Sequence, residues 1–293
     1  MPWTLEDKDS WRNEQNIKRS YQDEVLAKIE NLKSHVTVTS YGALSYDPAR
    51  YPLFYLRSQG GEGKKTILIT GGVHGYETSG VQGALRFMET EVANFSQDFD
   101  IICFPCLSPW AYETINRWNP LAIDPNRSFF VKSPAEECHY FLEAMNSLDV
   151  KIFAHFDLHE TTDTDNTVFR PALQERDGKV QEFSEIPDGF YLVGDTRSPE
   201  PAFQKAIIDS VKKITHIAPP DGEGKIIGVR LAQEGVVNYD KRKLFLCGGF
   251  SDARFITTTE VYPDSPKATP EICTLAQVAA LTGGINFVKS FES

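Results

Sequence analysis

The chain has 293 residues, 41% of them hydrophobic and 24% charged, with a formal net charge of −11. That composition suits a soluble globular protein, and the acidic balance argues against a general phosphate-backbone binder, which needs a basic face. The longest apolar runs, KIFAHF and DIICFPCL, fall far short of the roughly 20 residues that span a bilayer, and MPWTLEDKDSWRNEQ has no apolar signal core. The sequence therefore predicts a cytoplasmic protein with no membrane and no nucleic-acid partner.

Residues 4–34 read as one or two helices, with Thr4 capping the first and Val25, Leu26, Ile29 and Leu32 forming an apolar stripe. Strand-like runs HVTVTSYG, YPLFYLRS and KKTILITGG follow, then a helix from near Glu77 to about Phe95. FDIICFPCLS is the next strand. Its Cys103 and Cys106 have no second C-x-x-C pair with which to build a structural zinc site, so they read as core residues. With Cys138, Cys247 and Cys273 they make an odd number, which suits reduced thiols. SPAEECHYFLEAMNSL is a helix with Ser133 as cap and Pro134 at its first position. VKIFAHFDLHE is a near-continuous apolar run, as for a strand buried on both faces. Then come the strand GFYLVGD, a helix capped by Ser198, a hairpin over KIIGVRLAQEGVVNY, the strand ARFITTTEVYP and a last helix capped by Thr269. This alternation predicts one α/β domain with a mixed, largely parallel sheet and helices on both faces. Ligand sites in such sheets lie at the carboxyl ends of strands.

The turn GGVHGYETSG lies at such an end and sets His74 and Glu77 three apart. Alone, the pair is as consistent with a solvated turn and a capping Glu as with two metal ligands. A catalytic zinc takes three protein ligands and keeps a fourth position open, and His₂Glu is a common set. His159, closing the strand KIFAHF in FDLHETTD, is the candidate third, although a strand histidine is more often a satisfied core residue. SPWAYETINRWNPLAIDPNRSF carries Arg117, Asn126 and Arg127, suited to holding a carboxylate or an oxyanion. Asp124 there is placed to accept the second ring N–H of a ligating histidine. Glu260, at the end of FITTTEVYP, suits a general base facing a site, or an edge-strand carboxylate in solvent.

H-G-Y-E, D-P-N-R, D-L-H and T-T-T-E-V, in this order, resemble the zinc carboxypeptidase superfamily, which includes the aspartoacylase and succinylglutamate desuccinylase deacylases. The resemblance covers roughly residues 65–290. It implies an α/β/α sandwich around a mixed twisted sheet. The element pattern reads residues 1–35 as a helical extension packed on a zinc carboxypeptidase-like catalytic domain of residues 36–293. The resemblance implies one zinc held by His74, Glu77 and His159, with Glu260 as the general base that later protonates the leaving amine. Arg117 would polarise the scissile carbonyl, and Asn126 and Arg127 would grip the substrate carboxylate. Tyr239 stands where carboxypeptidases carry a mobile capping tyrosine. Tyr76 replaces the arginine of the digestive enzymes, and Ser108-Pro109-Trp110-Ala111 replaces Asn-Pro-Asp-Gly; the short interval from Glu77 to Asn126 and the S-P-x-A…R…D-x-N-R arrangement resemble the deacylase side, whereas T-E-V-Y-P and the longer segment from His159 to Glu260 resemble a carboxypeptidase. The expectation is a zinc metallocarboxypeptidase-like hydrolase cleaving a C-terminal amino acid from a peptide. The alternatives are an N-acyl amino acid deacylase and a non-catalytic binding protein on the same scaffold. Side-chain preference would be set by loops holding Arg170, Arg197, Arg230, Arg254 and Asp252.

Overall fold

The computed structural model describes residues 1–61 and 63–291. The strands are β1 (Val36–Ala43), β2 (Pro52–Ser58), β3 (Lys65–Gly71), β4 (Phe99–Phe104), β5 (Ile152–Glu160), β6 (Tyr191–Asp195), β7 (Lys225–Ile226), β8 (Val229–Arg230), β9 (Val236–Tyr239) and β10 (Phe255–Val261). Eight of them form one sheet in the order β1-β2-β4-β3-β5-β10-β6-β9. The central β4, β3, β5 and β10 are mutually parallel, while β1, β2 and β6 run antiparallel to a neighbour. The mixed sheet with a parallel centre agrees with the sequence.

The helices are α1 (Leu5–Glu14), α2 (Ala27–Leu32), α3 (Thr78–Thr90), α4 (Val92–Phe95), α5 (Pro109–Thr114), α6 (Glu136–Leu148), α7 (Arg170–Asp177), α8 (Pro201–Val211) and α9 (Pro270–Ser290). One sheet face packs Ile67, Ile69, Phe156 and Leu158 against α2, α3, α8 and α9, and the other packs Leu68, Ile102 and Phe104 against α6. Helix α9 has 21 residues and is apolar enough by length and composition to cross a membrane, yet it is largely buried against α3 and α8.

Several local expectations shift. The helix expected to run to Phe95 breaks at Glu91. Helix α6 begins at Glu136 rather than Pro134, because the Ser133 hydroxyl accepts from Ala135 N (3.2 Å) in a turn before it. Helix α8 begins at Pro201 after a left-handed Glu200, and Ser198 donates to Arg254 O (2.7 Å) instead of capping. The expected hairpin is confined to β7 and β8. Gly235, at φ +65°, turns the chain so that β9 joins the main sheet parallel to β6. All five cysteines are buried free thiols.

Strand β5 is buried along its length, but its two faces differ. Ala154, Phe156 and Leu158 enter the apolar cluster, whereas His155, Asp157 and His159 form a polar row on the opposite face. That row leads to the carboxyl end of the sheet.

Candidate active site

After β3 the chain turns sharply, with Gly72 at φ +61°, and reaches His74. Gly75 presses on the backbone of α5: a Cβ there would lie 1.9 Å from Ala111 C, a place open only to glycine. Glu77 ends the turn at the N-cap of α3 but makes no capping bond. The orphan amides of Thr78 and Ser79 are instead satisfied by Glu160 (3.2 and 2.7 Å), which frees the Glu77 carboxylate.

That carboxylate bridges two histidines. Oε1 lies 2.7 Å from Nδ1 of His74, and Oε2 lies 2.7 Å from Nδ1 of His159. The second contact lies off the hydrogen-bond direction, so buried Oε2 has no true donor. Ligand atoms of the three residues fall within 4.8 Å of one another, and each residue is at most 2% exposed. The far ring nitrogens are held as well: His74 Nε2 lies 3.0 Å from Asp124 Oδ1, and His159 Nε2 lies 3.0 Å from Asp157 Oδ2. A carboxylate on Nε2 fixes each ring so that Nδ1 faces the common point. Two imidazoles and a carboxylate with an orphaned oxygen, converging there, fit a divalent metal, whose binding would displace the shared protons.

Charge follows the same logic. Burial pushes Glu77 up, but the flanking His159 and His74 outweigh it and bring the carboxyl down to about 2. Burial opposes the charge of Asp124 and Asp157, yet Arg117 with His74, and His159, hold them well below the usual carboxylate range. His159 is raised above its ordinary value: burial opposes, but Glu77 and Asp157 win.

Glu260 pairs in parallel register with His159, so both side chains lie on one sheet face. Its Oε2 accepts from the Thr161 hydroxyl (2.9 Å), which is 2.7 Å from the Tyr191 hydroxyl. Burial pushes its carboxyl up to about 8; His159 opposes and Glu77 adds to the rise.

Arg117 stacks 4.2 Å above Phe169, with Nε on Asp124 (3.1 Å) and Nη1 on the Tyr76 hydroxyl (3.0 Å) and Asp165 (3.4 Å). Nη2 takes no protein partner among the described residues. Asn126 is buried: its Oδ1 accepts from Cys247 N (2.8 Å) and its Nδ2 lies 3.4 Å from His159 Nε2. Arg127 is exposed and lines a cleft of about 950 Å³ with Arg117, Asp124, Asp165, Arg170 and Trp3. The Tyr239 hydroxyl is close enough to feel Glu260, Arg127 and Arg170; burial raises its pKa, and the charges modulate that rise. Of the specificity candidates only Arg170 lines this cleft. Arg197 pairs with Asp195, Arg254 with Glu200 and Asp252 with Arg242.

Sequence reading missed Asp157 and Asp165. Asp157 had a signal, the alternation His155-x-Asp157-x-His159 inside an apolar strand. Asp165, which accepts from Tyr76 (2.7 Å) and Thr162 N (2.9 Å), had none.

Residues 63–192 match the succinylglutamate desuccinylase/aspartoacylase catalytic domain family. No curated protein sequence matches. Among solved structures, a candidate metallopeptidase from Shewanella amazonensis superposes with a TM-score of 0.68 at 20% identity, covering 94% of this chain and 98% of that one. A metallo-carboxypeptidase from Burkholderia cenocepacia gives 0.63 at 14% identity, covering 99% and 70%. One from Pseudomonas aeruginosa, in complex with (2-guanidinoethylmercapto)succinic acid, gives 0.59 at 14%, covering 98% and 70%. The chain therefore shares the fold of these metallopeptidase and metallo-carboxypeptidase structures, and its residues 63–192 resemble the desuccinylase/aspartoacylase catalytic domain.

Proposed function

We propose that the protein is a zinc-dependent amidohydrolase that cleaves the bond to an amino acid bearing a free carboxylate, in the manner of a metallocarboxypeptidase. The observation that carries this reading is the convergence of His74 Nδ1, His159 Nδ1 and the Glu77 carboxylate on one point, with Glu260 in register beside it. His74, Glu77 and His159 would hold the metal, which when bound lowers the pKa of a water to about 7 and polarises a carbonyl. Glu260 takes the proton of the attacking water and delivers it to the leaving amine nitrogen. Arg117, through its unpartnered Nη2, meets the negative charge that grows on the carbonyl oxygen. Arg127 meets the substrate carboxylate at the cleft, and buried Asn126 steadies the loop through Cys247 N. Tyr239 closes over the bound amino acid.

A second reading, N-acyl amino acid deacylation, is favoured by the match of residues 63–192 to the deacylase family and by Tyr76 in the metal-ligand turn. Metal content measured by elemental analysis, combined with chelator-reversible hydrolysis of a peptide panel beside N-acetyl and N-succinyl amino acids, tests both readings. Release of C-terminal residues supports the first, and release only from short N-acyl substrates replaces it with the second. Hydrolysis indifferent to chelator overturns both.

A further inference from the structure

The segment preceding α2 reaches the metal-ligand turn through one side chain. Arg19 Nε donates to Tyr112 O (2.6 Å), Nη1 to the Thr78 hydroxyl (2.6 Å) and Nη2 to Gly75 O. Its guanidinium lies 3.5 Å from the centre of the Tyr112 ring. Gly75 directly follows His74, and Thr78 directly follows Glu77, so two arms of one rigid fork grip the turn just beyond each ligand. The third arm ties the turn to α5.

Other contacts hold the turn from other directions. Tyr76 N donates to Asn116 O (3.1 Å), the Gly75 backbone lies on α5, and Glu160 accepts from Thr78 and Ser79. Arg19 has a firm base of its own. Lys18 N and Arg19 N donate to Glu113 O (2.8 and 3.3 Å), and Tyr21 N donates to Glu113 Oε1 (2.8 Å). Buried Glu113 also accepts from Arg50 Nε (2.5 Å) and the Tyr51 hydroxyl (2.9 Å). A lysine would keep the charge but offers one nitrogen where three spread acceptors wait.

We infer that Arg19 is a positioning residue of the active site: it fixes the His74–Glu77 turn so that both ligand atoms face one point before any metal arrives. This rests on the reading of His74 and Glu77 as metal ligands, and the test separates the two ideas. Hydrogen exchange at the amides of residues 74–79 is measured on the full-length, metal-free chain for wild type, Arg19→Ala, Arg19→Lys and Trp11→Ala. Trp11 packs α1 onto Trp110 and Trp118 without touching the turn. Both Arg19 variants are expected to exchange on the order of tenfold faster at the turn, the equivalent of one charge-assisted hydrogen bond. Exchange in β3 should be unchanged, and Trp11→Ala should match wild type at the turn. Unchanged exchange at the turn in both Arg19 variants overturns the proposal, as does the same acceleration in Trp11→Ala, which would assign the effect to the whole segment. In parallel, chelator competition should show zinc held roughly ten- to a hundredfold more weakly by Arg19→Ala than by wild type. A wild-type chain that binds no zinc removes the metal reading, while the exchange result still decides the clamp.

Discussion

Glu77 is buried and Glu260 half-buried at one end of the sheet, and their surroundings drive the two carboxyl groups apart, to about 2 and about 8. The first is flanked by histidines that stabilise its charge. The second meets a hydroxyl and a like charge in a desolvated place, so it can both accept and return a proton near neutrality. Glu260→Gln is therefore expected to keep the metal and lose about 10²–10⁴ in kcat; metal content and turnover on one preparation check it, and near-wild-type turnover removes Glu260 from the chemistry. Arg117→Ala should lower kcat by about 10²–10³, with a smaller change in KM, whereas exposed Arg127→Ala should mainly raise KM. Steady-state kinetics with the opposite pattern would exchange their roles. Asp157→Ala leaves His159 Nε2 and the Thr70 hydroxyl without their acceptor. Zinc affinity in that variant should fall roughly ten- to a hundredfold, as for removal of other carboxylates behind a ligating histidine. Chelator competition measures it.

At the scale of elements, periodicity located the helices and strands, but local capping chemistry moved their ends. Ser133 and Ser198 each precede a proline and have the look of caps, yet each hydroxyl finds another backbone partner and the helix starts later. Inside α6 the sequence conceals a buried acid. Glu137 is 1% exposed, receives Asn119 Nδ2 on Oε2 (3.3 Å) and leaves Oε1 without a partner. Burial pushes its carboxyl up to about 7 from an ordinary 4.5, against the opposing hydrogen bonds. Because the folded value is raised, the neutral form is the stabilised one. Its contribution is complete below about 4.5 and is lost as pH rises through about 7. Wild type should thus lose stability relative to Glu137→Gln by up to about 3 kcal/mol between pH 5 and pH 8, from a slope near 1.4 kcal/mol per pH unit. Denaturant titrations across that range check this, and a pH-independent difference would mean that Glu137 is ionised in the fold.

For the molecule as a whole, a metal held by His74, Glu77 and His159 would add to the sheet pairing of β3 with β5 a second tie between the turn after β3 and the end of β5 and, through Asp124, the loop between α5 and α6. A metal that binds only the folded arrangement stabilises it by mass action. At a thousandfold excess over the dissociation constant the gain is about 4 kcal/mol, or roughly 5–10 °C in Tm for a chain of this size. Chelator should lower the melting temperature by that amount and zinc should restore it, whereas His159→Ala should respond to neither. The cationic cleft in a chain of net charge −11 belongs to the same scale. Arg117 and Arg127 come from the loop between α5 and α6 and Arg170 from the start of α7, so their meeting is a product of topology rather than of composition.

The α/β class, the parallel centre of the sheet and the candidate ligands His74, Glu77 and His159 were legible in the residues themselves. Hydrophobic period reports on which side of an element is buried, and a polar exit from an apolar strand marks the end where a site forms. Tertiary structure alone decided that Nδ1 of both histidines faces one carboxylate, that Asn126 turns inward while Arg127 faces the cleft, and that Arg19, some 55 residues before the turn, grips it from behind. Those outcomes depend on which loops meet above the sheet and which hydrogen-bond partners remain free there. Such a competition is settled by the packing of distant segments, and no local pattern carries it.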